Sequence, residues 1–323
     1  MTLHAMPVHD DAQLTQRLPS GARVPAAVLP PNPTSIEWPT LAALAACLSS
    51  LGLVLAFGAD WPLPVTLLVL AFLGAWYSSI QHEGVHGHPT PSPTANMVFL
   101  QAPLGLIYPY WLYRDLHLIH HRDENLTDPD LDPESNYVTP ERWAAMSTLL
   151  RWIRLVNQTL LGRVIVGPAL AIVAVFKDAI RRVGDGENRA GVVRWAAAVA
   201  VILVGIDALG FPVWIFTLGF GYFGLSITMI RSFAEHRAVD DDVRCAVVCS
   251  RWFWGLIYMS VNLHVTHHRH PALPWYELRR VHGQSDAERV AAASAGLYRS
   301  YPALIARYFF RPVDQVAHPG VTR

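Results

Sequence analysis

The chain has 323 residues, of which 52% are hydrophobic and only 15% charged, and a mean hydropathy of +0.25. This is too apolar for an ordinary soluble enzyme of that length. Basic and acidic residues both number 25, so there is no basic field to hold nucleic acid and no acidic excess to favour disorder. Three cysteines exclude a disulfide framework and any four-thiolate metal cluster.

In chain order, residues 1–36 carry six prolines among polar residues without a sustained period, and read as a flexible tail before a single membrane domain over residues 37–323. Residues 38–58 and 61–81 are free of charge and long enough, at about 1.5 Å per residue, to cross a hydrocarbon core of about 30 Å. The short connection around Asp60 and Pro62 makes them a transmembrane hairpin. A second hairpin is expected from residues 195–209 and 211–230, joined at Gly210 and Pro212. Three further apolar stretches are expected to lie in the membrane plane or re-enter it. Residues 95–113 are interrupted by Pro103 and Pro109 and are rich in aromatics. Residues 164–176 number only 13 and contain Pro168. Residues 251–263 are similarly short and aromatic. Neither hairpin turn contains Lys or Arg, and cytoplasmic loops collect positive charge. The expected architecture is therefore all-α: an integral membrane protein with four transmembrane helices in two hairpins, and a cytoplasmic helical cap.

Fifteen histidines stand out against this background. His82 and His86 follow the second crossing at i,i+4 and share one helix face. His117, His120 and His121 repeat the theme at i, i+3, i+4, and so do His264, His267 and His268. His236 follows the fourth crossing alone. By the parity of the crossings all four groups emerge on the same side of the membrane. Nine imidazoles exceed the four or so ligands of one zinc site, which implies two metals, and imidazole-rich coordination with open positions suits iron. His88 and His270 fall off the ligand faces, while His4, His9, His282 and His318 read as ordinary structural residues. Glu83, Glu235 and the run Asp128, Asp130 and Asp132 are candidates to orient the rings through their second nitrogen.

Three boxes, HEGVH at 82–86, HLIHH at 117–121 and HVTHH at 264–268, together with the lone His236, make the chain resemble the membrane fatty acid desaturase and hydroxylase superfamily. The resemblance spans roughly residues 38–275. It implies four crossings under a cytoplasmic cap, two nonheme irons held by His82, His86, His117, His120, His121, His236, His264, His267 and His268, and O2-dependent oxidation of a fatty acyl or related lipid chain, with desaturation foremost. The same scaffold serves lipid and alkane hydroxylases, carotenoid ketolases and terminal-alkene-forming fatty acid decarboxylases. Where acyl-CoA desaturases carry Asn four positions before the lone His, this chain has Ser232. No flavin, haem or iron–sulfur module is recognisable, so the reducing electrons are expected from a separate ferredoxin, rubredoxin or cytochrome b5 system.

The main rival is a membrane-embedded zinc protease, since His82 to His86 is literally HExxH, with Asp207 as the further ligand. That reading leaves two complete HxxHH boxes without work. Gly219, Gly221 and Gly224 formally match GxGxxG, but within an apolar crossing they read as a helix-packing surface.

Overall fold

The computed structural model describes residues 15–17, 23–25 and 30–320, apart from 187 and 242. Most of the expected tail, including His4 and His9, lies outside the described residues. Its last stretch lies against the segment after the first histidine box: the Asn32 side chain donates to the Pro91 carbonyl, and just past the tail the Glu37 amide donates to the Pro89 carbonyl at 2.9 Å.

The described chain is mostly helical. Helix α1 (Trp38–Phe57) and α2 (Leu63–Val85) form the first hairpin, joined by a single turn at Gly58–Asp60. Helices α3 (Pro93–Leu100) and α4 (Tyr110–His120) follow, then α5 (Pro140–Ala145) and α6 (Thr148–Asn157). Next come α7 (Leu160–Asp185) and α8 (Arg189–Ala208). The partner of α8 begins as α9 (Val213–Phe216), widens into a π-helical stretch at Thr217–Phe223 and ends as α10 (Gly224–Ser232). Short helices α11 (Phe253–Ile257), α12 (His264–Arg269), α13 (Trp275–His282), α14 (Ala287–Ala293) and α15 (Tyr301–Tyr308) complete the chain. Beside α12, a parallel two-residue pairing joins Val247–Val248 to Leu297–Tyr298.

Helix α2 is the hub, packing on α1, α4, α10 and the π-helical stretch. Its approach to the last of these is close because two glycines face each other. A Cβ on Gly74 would sit 2.2 Å from the Phe220 carbonyl oxygen, and one on Gly224 would sit 3.0 Å from the Gly74 Cα. A Cβ on Gly219 would meet the Leu70 side chain at 2.8 Å. The glycine-rich stretch is thus a helix-packing surface, as expected.

Five helical segments among the described residues are long and apolar enough to cross a membrane: Trp38–Asp60, Leu63–Val85, Leu160–Asp185, Arg189–Ala208 and Val213–Ser232. These candidates exceed the four expected crossings by one, α7. Its apolar core of residues 164–176 was expected to be too short, yet the helix around it runs 26 residues. Pro168 lies inside the helix without ending it; an interior proline removes one backbone hydrogen bond and kinks a helix where it does not break it. The other two stretches read as non-crossing are indeed broken, into α3 and α4 around Leu106 at φ 64°, and into α11 and α12 around Met259 and Ser260, both at positive φ. The chain is a multi-pass membrane protein.

Candidate metal centre

Each box lies where a helix ends. His82 sits in the last turn of α2 with His86 as its C-cap, and His117 and His120 sit in the last turn of α4 with His121 as its C-cap. Box three forms most of α12. His236 is fixed differently, on a chain reversal after α10: it bridges to Cys245, while the Ala246 amide donates to the Glu235 carbonyl at 2.9 Å.

The nine rings expected to be ligands gather into two groups. The first contains His82, His86, His117, His121 and His267, and the second His120, His236, His264 and His268; within each, one nitrogen from every ring lies within 4.8 Å of the others. Either group can therefore hold a metal ion. The groups abut, with the His121 and His268 rings stacked at 4.2 Å. Boxes two and three are each shared between them. In box two the i,i+4 pair His117 and His121 joins the first group while His120 joins the second. In box three the i,i+4 pair His264 and His268 joins the second while His267 crosses to the first.

The other described histidines stay apart from both groups. His88 is buried against Glu37 at 2.8 Å, and His270 is exposed. His282 meets the Thr266 hydroxyl at 2.7 Å, and His318 meets that of Thr127 at 3.1 Å.

Carboxylates hold several outer ring nitrogens. His120 Nδ1 lies 2.9 Å from Asp132, His117 Nδ1 lies 2.7 Å from Glu134, and His264 Nδ1 lies 3.4 Å from Glu235, which also pairs with Arg231 at 2.9 Å. Of the Asp128 to Asp132 run it is Asp132 that binds a ring; Asp128 accepts from the amides of Asp130 and Leu131, and Asp130 pairs with Arg142. Glu83 instead accepts the backbone amide of Trp275 at 3.0 Å. Sequence reasoning missed Glu134, which lies in a turn two residues after Asp132, where no helical spacing marks it as a partner of His117.

The ring chemistry fits a metal. His82 and His86 leave all four of their nitrogens buried without a hydrogen-bond partner. At roughly 1–3 kcal/mol for each buried unsatisfied group, that is a penalty comparable with the net stability of a whole domain, and a cation that takes one lone pair from each ring would offset about half of it. Burial, then the neighbouring rings, holds His121, His264, His267 and His268 well below the usual imidazole range, which keeps them neutral as ligands must be. Burial alone would also lower His120, but Asp132 and Glu134 outweigh it and raise it to about 9.

A cavity of about 440 Å³ adjoins the centre, with His236, Glu134 and Glu235 in its wall and Leu112, Leu170 and Met229 among its apolar lining. Asp207, the further ligand a protease would need, is exposed at the hairpin end of α8. A comparison with curated proteins finds no match. The model of the family described as fatty acid desaturase matches residues 59–302.

Proposed function

The chain belongs to the fatty acid desaturase family, and from that premise we propose that it is a membrane-bound nonheme diiron oxidoreductase that uses O2 to desaturate a fatty acyl or related lipid chain. The observation that carries this reading is the pair of abutting histidine groups beside a partly apolar cavity. One iron would be held by His82, His86, His117, His121 and His267, and the other by His120, His236, His264 and His268. Bound there, iron supplies the O2-dependent C–H oxidation that protein side chains cannot perform. The chain's own residues do the rest. Asp132, Glu134 and Glu235 fix ring orientation and raise ligand basicity. The apolar cavity wall receives the lipid chain and keeps water away from it. The electrons come from a separate ferredoxin, rubredoxin or cytochrome b5 type carrier.

Four crossings and a cytoplasmic centre complete the proposal. His120 and His236 belong to one group, so an even number of crossings must separate them. Three candidate segments lie between them, so one of the three does not cross. Helix α7 is the one set apart: its longest uncharged run is residues 164–176, while Arg163 precedes it and Lys177, Asp178, Arg181, Arg182 and Asp185 follow. Thirteen residues reach only about 20 Å of a hydrocarbon core about 30 Å thick. Both hairpin turns lack positive charge, which supports a cytoplasmic centre.

The test is iron content together with lipid product. Active protein should hold about two irons per chain and, given O2 and a reduced carrier, introduce a double bond detectable by mass spectrometry. A hydroxyl or terminal alkene instead would redirect the reaction class on the same centre. One zinc per chain with proteolytic activity would overturn the oxidase reading.

A further inference from the structure

The cavity beside the centre contains two arginines that the diiron reading does not use, Arg154 on α6 and Arg163 in the first turn of α7. Every other charge in its wall is matched: Asp132 by His120, Glu134 by His117, Asp178 by Arg182, and Arg231 by Glu235. Neither Arg154 nor Arg163 is paired with a carboxylate among the described residues. Arg163 is only 4% exposed. Its Nε donates to the Asn157 carbonyl at 3.1 Å, and its guanidinium lies 5.7 Å from the centroid of the Phe233 ring. The Arg154 Nε is buried and has no hydrogen-bond partner, and the two guanidiniums repel one another.

Arginine does not escape such a cost by losing its proton. Two like charges withdrawn from water need a counter-ion, and the guanidinium fork matches the planar carboxylate or the phosphate group. From the arginines the cavity continues along one face of α7, past Gly167, Leu170, Ala171, Ala174 and Val175. These positions follow the i, i+4, i+7, i+8 spacing of a single helical stripe, and the stripe is apolar. The cationic end is also the end near the centre. Phe233, against which Arg163 rests, precedes His236 by three residues, and His236 is itself in the cavity wall.

We infer that Arg154 and Arg163 bind the anionic head group, a carboxylate or a phosphate, of a single-chain lipid substrate whose hydrocarbon tail occupies the apolar stripe of α7. The substrate is then an ionised fatty acid or alkyl phosphate rather than a neutral ester. This rests on the oxidase reading only in calling the ligand a substrate; binding of the anion does not require turnover.

The test measures binding of dodecanoate, dodecyl phosphate and methyl dodecanoate to the purified full-length protein in a nonionic detergent, with iron content recorded on the same samples. The preferred anion should bind at least tenfold more tightly than the ester, and whichever of the two binds more tightly identifies the head group. Arg163→Gln and Arg154→Gln should each weaken anion binding about tenfold while leaving the ester unchanged, and Arg163→Lys should retain part of the affinity. The unchanged ester affinity and iron content show that a variant is folded. Should Arg163→Gln not fold, Arg154→Gln and Arg163→Lys carry the comparison. Equal affinity for ester and anions, or anion affinity that survives loss of either guanidinium, would overturn the assignment. Absence of any oxidised lipid alongside arginine-dependent anion binding would instead remove the oxidase reading and leave the anion site standing.

Discussion

The His236 ring is oriented through its Nδ1, which lies 3.3 Å from the Arg244 carbonyl, and its Nε2 converges to 2.8 Å from the His264 Nε2. His236→Ala should therefore lose metal and activity about as severely as His120→Ala, since both remove a ring from the same group. His270→Ala is the control, being exposed and outside both groups, and should retain both. Metal analysis at equal amounts of folded protein decides the matter, and normal iron in His236→Ala would remove this residue from the ligand set. Glu134 acts one step further out, through His117. Glu134→Gln keeps the shape but removes the charge, and a partner of this kind contributes roughly 10–100-fold in metal affinity or activity; iron titration of the variant measures it. The box residues were legible because helical spacing is local. Glu134 was not, because its contact with His117 joins residues 17 apart through a turn whose course spacing does not reveal.

Among the helices, the contact of α2 with the α9 to α10 segment depends on the absence of side chains at Gly74 and Gly224. A methyl group at Gly74 would meet backbone rather than a movable side chain, so Gly74→Ala should cost about 1–3 kcal/mol or more by overpacking. Thermal unfolding in detergent should show a lowered midpoint. Gly52→Ala on α1, where an added Cβ meets nothing within 4 Å, should be neutral or stabilising by up to about 1 kcal/mol. Equal midpoints for the two variants would contradict the close packing. The length of α7 shows where pattern reading falls short. An uncharged run of 13 residues marks the apolar core, but the helix continues through Lys177 to Asp185, where Asp178 pairs with Arg181 and Arg182 at the supportive i,i+3 and i,i+4 spacings.

For the whole molecule, the proposed topology predicts labelling from outside the cell. In a background lacking Cys47, Cys245 and Cys249, single cysteines at Ala59 and Gly210 should react with a membrane-impermeant reagent, while cysteines at Asn125 and Gly186 should not. Labelling at Gly186 alone would show that α7 crosses, and labelling at Asn125 would invert the map. By itself the sequence determined the membrane class, both hairpins and all nine histidines that gather into the two groups, because hydropathy, charge and helical spacing are carried by neighbouring residues. Only the tertiary structure decided how those rings are divided. Residues sharing a helix face still differ in direction by about 100° per residue, so whether His120 joins His117 or His236 depends on how α4, α12 and the chain reversal at His236 pack. The unpaired arginines became visible for the same reason: an unmatched charge is a property of what surrounds it, and α6, α7 and α10 meet around that cavity only in the folded chain.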